Sequence, residues 1–482
     1  MAYGMIARFL LLSSSITCPA FAYAQTASPA ESPAQAESDL GHLDDIVVTA
    51  QRREQTLQDV PVAVSVLGGL ALRQQNVSSI EGLNTAVPNL VVTRSPFQPF
   101  VAIRGLGSGG GGRAFEQSVA TYVDGIYAGR ANQFLNPFFD VERVEVVRGP
   151  QSVLFGVNAN AGAINIVNKR PGKEIEAYGA AGYEFANQGY NLEGAISMPL
   201  TSTLAVRVAG KVTRDGGYVR DTVTGRDQGR TDSEIGRIIA SWRPNSDLRF
   251  DVSYERAHKK VDGTSFQLTS LGAATFPPAI EDGKFDFKKS TSDGPEFTRI
   301  ITDNVTLNGS YDLGTVTLSS STGYSAYDFD QAIAGANHPV SVGTALDDES
   351  FKQFYQEVRL VSSNAGFLNY IVGLNYFHQD SRIDQGVDID FGGFGVPGLR
   401  AGVRNGLDQK SDGYSVFGQA TFNFTNAFNV VLGGRYSAIT KKADYIISPT
   451  AAGQPVTGYS FDVPSLFVLS GPTFGFFQWF NP

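Results

Sequence analysis

Residues 305–313 read VTLNGSYDL. Val305, Leu307, Gly309, Tyr311 and Leu313 fall on one side of an extended chain and Thr306, Asn308, Ser310 and Asp312 on the other, the period-two alternation of a β-strand with one apolar face. Leu313-Gly314-Thr315 supplies a tight turn. Residues 316–327, VTLSSSTGYSAY, then resume with Val316 and Leu318 opposite Thr317 and Ser319, so the two segments predict a hairpin. The same reading applies to YSVFGQATFNF at 414–424, with Tyr414, Val416, Phe422 and Phe424 on one face and Ser415, Gln419, Thr421 and Asn423 on the other. After a turn at Thr425-Asn426, Phe428, Val430, Leu432 and Tyr436 continue the apolar side.

Similar segments occur near 174–184, 189–199, 203–214, 231–243, 247–258, 298–312, 351–362 and 367–379, separated by short turns or by long polar stretches read as loops, such as 259–297 and 380–411. Strands of a soluble sandwich average about five or six residues, and these run to roughly 10–13. One apolar face, strands of about 9–11 residues and turns of alternating length describe an outer-membrane barrel. A large secreted array of β-sandwiches is the competing fold. Tyr183, Tyr254, Tyr324, Tyr327, Tyr414 and Tyr436, near strand ends, suit the aromatic girdles of a barrel.

Composition agrees. The chain has 482 residues with 53 glycines, 11% aromatic residues and a formal charge of −9. An acidic chain with scattered Lys and Arg is a poor nucleic-acid binder. Beyond the N-terminus no run of 18 apolar residues exists, so any membrane crossing falls to strands.

At the N-terminus, Arg8 precedes the apolar run Phe9–Ile16, and Ala22-Tyr23-Ala24 fits the small-x-small cleavage rule, so residues 1–24 are expected to be a secretory signal peptide. Its removal takes Arg8 and the only cysteine, Cys18, and leaves disulfides, thiolate catalysis and Cys-based metal sites without a residue. His42, His258, His338 and His378 have no local pairing at ligand spacing, so no metal site is expected. No serine sits in a nucleophile elbow. Neither an enzyme nor a cofactor is expected.

Residues 25–43, QTASPAESPAQAESDLGHL, are too poor in large apolar side chains to offset their own ordering entropy. They end at DDIVVTAQR (44–52), whose centre is strand-like. Residues 60–170 read as a small mixed domain. Ser78 with Glu81 reads as a capping box, with Ile80, Leu83 and Val87 at helical spacing and Pro88 as the stop. VATYVDGIYAG reads as a hairpin turning at Asp124-Gly125, and DVERVEVV and GAINIV as further strands before Lys169-Arg170-Pro171. GLGSGGGG at 105–112 lacks the Gly-Lys-Ser/Thr ending of a phosphate loop and is read instead as an apical loop.

Tail, mixed domain and barrel strands in that order resemble a TonB-dependent outer-membrane receptor. The likeness rests on DDIVVTAQRREQTLQDVPVAVSVL, IRGLG, SVATYVDGIYAG, VERVEVVRGPQSVLFGVNANAGAINIVNKRP, KQFYQEVRLVSS and DGYSVFGQATFNFTNAFNVVLGGRYS, and spans about 44–440. The resemblance implies an N-terminal α+β plug inside an antiparallel transmembrane β-barrel. Residues 25–43 would be a periplasmic tether, 44–52 the TonB-box region, 53–170 the plug and 171–482 the barrel part. Ile46, Val47, Val48, Thr49 and Ala50 would add as a strand to TonB, the partner that brings inner-membrane energy; an ordinary first plug strand is the alternative. Arg104 and Arg148 would pair with a barrel carboxylate such as Glu357 to latch the plug. Arg113 and Phe115, beside the apical loop, would touch ligand.

The implied function is active uptake of a scarce bulky nutrient, a ferric siderophore first, across the outer membrane. A passive plugged channel and an outer-membrane hydrolase remain alternatives. The chain shows 11–12 candidate strands where family barrels have about 22, so a fragment or frameshift product is expected; a complete chain would be a monomer among outer-membrane lipids.

Overall fold

The computed structural model describes residues 47–49, 52–53, 55–56, 62–93, 99–108, 116–156, 158–263, 288–289, 296–334, 343–363, 366–394, 398, 400–425, 428–451 and 459–461. Ile46, Ala50, Arg113 and Phe115 lie outside them, as do the leader and the run 109–112 of the apical loop.

The mixed domain is built on a five-stranded sheet in the order Ala63–Gly68, Val141–Arg148, Gly162–Asn168, Val119–Val123, Ile126–Ala128. Only Gly162–Asn168 against Val119–Val123 is parallel. Asp124 and Gly125 both have positive φ, 50° and 83°, as the expected type I′ turn requires. Val144, Val146 and Ile164 pack one face of the sheet against Ile80, Leu83 and Val87. The helix is the single turn Leu83–Ala86, capped at Gly82 without a side-chain bond, so Ser78 is not its N-cap. Burial of Ile80 and Leu83, rather than the cap, fixes this segment.

From Glu176 onward twelve strands form one antiparallel sheet in sequence order: Glu176–Glu184, Gly189–Pro199, Leu204–Asp215, Arg230–Trp242, Leu248–Asp262, Phe297–Asp312, Val316–Ala334, Gly343–Ser362, Leu368–Asp390, Arg400–Thr425, Phe428–Ala451 and Tyr459–Phe461. This is the expected mainly-β class, and the opening stretch decides it: Val305, Leu307, Tyr311 and Leu313 are exposed while Thr306 is buried. An apolar face turned outward and a polar face turned inward is the reverse of a soluble protein, and follows when the surrounding solvent is hydrocarbon.

The strands are much longer than the sequence suggests, up to 26 residues for Arg400–Thr425. The stretches 259–297 and 380–411, expected to be loops, contain strand to Asp262, from Phe297, to Asp390 and from Arg400. Along Leu368–Asp390 the outward residues are Leu368, Tyr370, Val372, Leu374 and Tyr376, then His378, Asp380, Arg382 and Asp384. The apolar portion, nine residues and so eight rises of about 3.3 Å, spans roughly 26 Å, close to the apolar band of about 25 Å in barrels of this kind. Above it the outward face turns polar while the inward face mixes Phe377 and Ile383 with Gln379 and Ser381, so the apolar-out alternation ends although the ladder continues. Short turns lie at the other end, where Phe367, Phe422, Phe424 and Phe428 cluster on the outer surface. Tyr254, Tyr324 and Tyr414 face outward as girdle residues, but Tyr327 has the opposite parity and is buried inward, stacked on Phe351.

Candidate functional site

The inner face of the sheet grips the mixed domain through two sets of charged contacts and an apolar seam. The first set holds the Phe138–Asp140 segment against the early strands. Arg207, only 1% exposed, donates from Nε to Asp140 Oδ2 at 2.7 Å, from Nη2 to the other oxygen, and from Nη1 to Ser197 at 2.6 Å. Lys211 Nζ reaches the Phe138 carbonyl at 3.2 Å, and Arg237 stacks over Phe139 with its guanidinium carbon 4.3 Å from the ring centroid. Beside it the hairpin tip is fixed by Asp124: Arg170 Nη1 lies 3.1 Å from Oδ1, the Asn168 backbone N–H donates at 3.0 Å, and Asn308 of the wall donates to the Asp124 carbonyl at 3.1 Å. Burial favours the neutral Asp124 acid, but Arg170 and the Asn168 N–H outweigh it and hold the carboxyl below its ordinary range.

The second set faces the later strands and involves the segment that begins at Val47. Val47–Val48 pairs with Gln55–Thr56, Val48 against Gln55. Val48 is fully buried in a cluster with Val147, Tyr355 and Phe377, and Thr49 donates to Glu145 from its backbone N–H at 2.9 Å and its hydroxyl at 3.1 Å. The turn closes through Arg52 N–H to Thr49 carbonyl at 2.8 Å, with Arg52 at φ 61°. The Arg52 guanidinium lies 3.9 Å over the Tyr122 ring and 4.8 Å from Phe155, and Nη1 is 3.8 Å from Glu357 of the wall. Glu357, 2% exposed, also accepts from Arg359 at 2.8 Å and from the Tyr355 hydroxyl at 2.8 Å. Higher on this side Lys441 Nζ sits 3.0 Å from Glu116. Burial opposes ionisation of Glu116, yet Lys441 and the Asn158 amide keep its carboxyl below the usual range.

Glu357 therefore faces inward as expected, but the structure does not bring it to Arg104 or Arg148. Arg104 is exposed in the left-handed turn after Phe100–Ile103, φ 53°, and Arg148 ends Val141–Arg148 in half-buried surroundings; among the described residues neither pairs with Glu357. Among the described residues the guanidinium groups nearest that carboxylate are Arg52 and Arg359. Arg52 sits within the quoted TAQRR motif and Arg359 in QEVRL; their meeting depends on a fold that one sequence does not display. Asp140 and Arg207 were likewise unmarked, because each is a lone charge in an ordinary strand context. Of the expected TonB-binding residues, Val48 and Thr49 are docked on the plug. Among the described residues no group of three His, Cys, Asp or Glu side chains is arranged to hold a metal.

Comparison with known proteins gives the class. Residues 56–163 match the family model of the TonB-dependent receptor plug domain. The pesticin receptor of Yersinia pestis is 25% identical over 308 residues, covering 62% of this chain and 42% of that protein. The hemin receptor of the same organism is 34% identical over 164 residues, covering 33% of this chain and 23% of that one. Among solved structures, the ferric yersiniabactin uptake receptor FyuA from Yersinia pestis superposes with a TM-score of 0.70 at 20% identity, over 81% of this chain and 58% of that one. The ferripyoverdine receptor of Pseudomonas aeruginosa gives 0.62 at 15% identity, over 88% and 57%. Residues 56–163 thus have the sequence of a TonB-dependent receptor plug domain, and the plug with its strand wall shares the fold of these solved structures. It spans less than half the length of the curated relatives it matches.

Proposed function

We propose that the chain is the plug and adjoining wall of a receptor that takes up a bulky iron chelate, a ferric siderophore or hemin-like compound, across the outer membrane when TonB pulls on residues 46–50. The cleaved leader 1–24 would send it there and residues 25–43 would tether the pulled segment. The single observation that carries this reading is the docking of the leader segment: Val48 and Thr49 are anchored to the plug at Glu145, and three residues on, Arg52 is anchored to the wall at Glu357. A pull transmitted through this segment acts on a plug-to-wall contact directly. The short extended segment can exchange its two-residue pairing with Gln55–Thr56 for a strand added to a partner's sheet edge. The receptor names of the relatives, FyuA among the structural neighbours, support iron compounds as cargo.

The twelve-stranded sheet leaves the outer side of Glu176–Glu184 without a partner among the described residues, an arrangement that lipid does not satisfy; we read it as one part of a larger barrel. Cells carrying the receptor with its full barrel, given radiolabelled ferric chelate with and without a protonophore, test the reading. Uptake should stop while surface binding persists. Uptake that survives the protonophore would establish a passive channel instead.

A further inference from the structure

The contact at Glu357 gathers more cations than one carboxylate can serve. Arg52 at 3.8 Å and Arg359 at 2.8 Å approach the same oxygen, Oε1, while Oε2 accepts from the Tyr355 hydroxyl. A third guanidinium arrives from the wall. Arg435, on Phe428–Ala451, lies 5.1 Å from the Phe417 ring centroid and donates from Nε to Ser437 at 3.0 Å, from Nη2 to the Asn375 side-chain oxygen at 3.1 Å and from Nη1 to the Val153 carbonyl of the plug at 3.4 Å. Glu357, Asn375, Ser415 and Ser437 form one inward rung across four adjacent strands. The Arg435 side chain therefore reaches across this rung and ends on the residue beside Glu357.

Arg52 and Arg435 also meet the same short stretch of plug. Arg52 lies over Phe155, and Arg435 packs against Gly156, where an added Cβ would stand 3.3 Å from Nη2. The two charges act on each other, and both act on Glu357, Tyr122 and Tyr355. Among the described residues none of the three arginines pairs with another carboxylate. Like charges in a partly buried site repel strongly, and Arg435, whose fork is occupied only by neutral acceptors, stays in place when Arg52 leaves. Docking of Arg52 thus brings a cation toward one already present, and undocking leaves Glu357 to Arg359 and Arg435.

We propose that Arg435 is a positioning residue that competes with Arg52 for Glu357 and so keeps the docked segment 47–56 displaceable. The proposal rests on the reading of that segment as the one TonB pulls, and names what sets its release. A purely structural role predicts the opposite sign: if Arg435 only ties the plug to the wall through Val153, its loss loosens the dock.

The test reads the docked state both without and with TonB. Gln55 pairs with Val48 and its side-chain oxygen is enclosed, so maleimide labelling of Gln55→Cys in the full receptor in detergent reports the undocked fraction, with the receptor lacking that substitution as background. Arg435→Gln should slow labelling by about three- to tenfold, the order expected for removing one like charge at a protein's effective dielectric, and weaken binding of the TonB periplasmic domain by the same factor. Arg435→Lys keeps the charge without the fork and should behave as the unaltered chain does. In Arg52→Gln the competitor is absent, so adding Arg435→Gln should change neither readout. Unchanged heat-modifiable gel migration of each variant excludes misfolding. Unchanged or faster labelling of Arg435→Gln, an Arg435→Lys chain that follows Arg435→Gln, or an effect that persists in Arg52→Gln overturns the proposal. The two readings separate cleanly: if labelling obeys the prediction while TonB fails to bind, the competition stands and the TonB assignment falls, and if TonB binds while labelling ignores Arg435, only the competition falls.

Discussion

Arg52→Gln perturbs the charged side chain that ties the segment 47–56 to the wall at Glu357. The substitution removes a cation stacked 3.9 Å over Tyr122 and paired with Glu357 at 3.8 Å. Breaking a buried ion pair ordinarily costs about 3–5 kcal/mol. Two features lower that figure here: the separation is long, and Glu357 keeps Arg359 at 2.8 Å and the Tyr355 hydroxyl, so no carboxylate is stranded. About 2 kcal/mol remains for the docked state, equivalent to a roughly 30-fold rise in the undocked fraction. A partner that binds only the undocked segment then binds about 30-fold more tightly, because apparent affinity scales with the competent fraction. Titration of the TonB periplasmic domain into detergent-solubilised receptor measures this directly. Arg52→Lys, which keeps the charge, should fall between. Unchanged or weaker TonB binding by Arg52→Gln, with the plug still folded, would refute the role of this contact as a clasp.

Other outcomes follow from the same geometry. Asp140→Asn strands the Arg207 guanidinium, 1% exposed, and should lower stability by about 3–5 kcal/mol, read as a fall in the temperature of heat-modifiable migration. Acid should loosen the plug late: Asp124 and Glu116 have folded-state values below those of the unfolded chain, so their contribution is complete above the ordinary carboxylate range near pH 4 and is lost as pH falls through the depressed values. Limited proteolysis of the plug should accordingly be flat from pH 7 to about 5 and rise only below about 4. On the outer surface Leu374→Arg should cost about 2–4 kcal/mol in lipid and impair assembly, whereas Ser350→Arg, outward on a neighbouring strand but above the apolar band, should be close to neutral in the same assay.

How much of this was legible in the sequence depends on which signal each residue carried. Val305, Leu307 and Tyr311 announced a strand by period two, and the starts of the wall strands at the short-turn end were readable because apolar and polar residues alternate there. The upper halves were not: His378, Gln379, Asp380, Ser381 and Arg382 are polar on both faces, and only cross-strand pairing extends the ladder through them. Tyr327 resembled a girdle residue in type but its parity places it inside. The Asp124-Gly125 turn was fixed by local backbone chemistry and appears as expected. The charged contacts were the least legible. Asp140 and Arg207 are 67 residues apart, and nothing local to either marks a partner. Glu357 could be assigned to the lumen from its strand, but its cation comes from Arg52, beyond the motif arginines Arg104 and Arg148, because the leader folds back onto the plug.

The most direct test of the whole account is the affinity of the TonB periplasmic domain for the receptor carrying Val48→Pro. Proline removes the N–H that an added strand must donate, so the account predicts that binding is lost while gel migration and chelate binding at the outer face are retained. TonB binding undiminished by this substitution would contradict it, since the segment 46–50 would then not be what the partner holds.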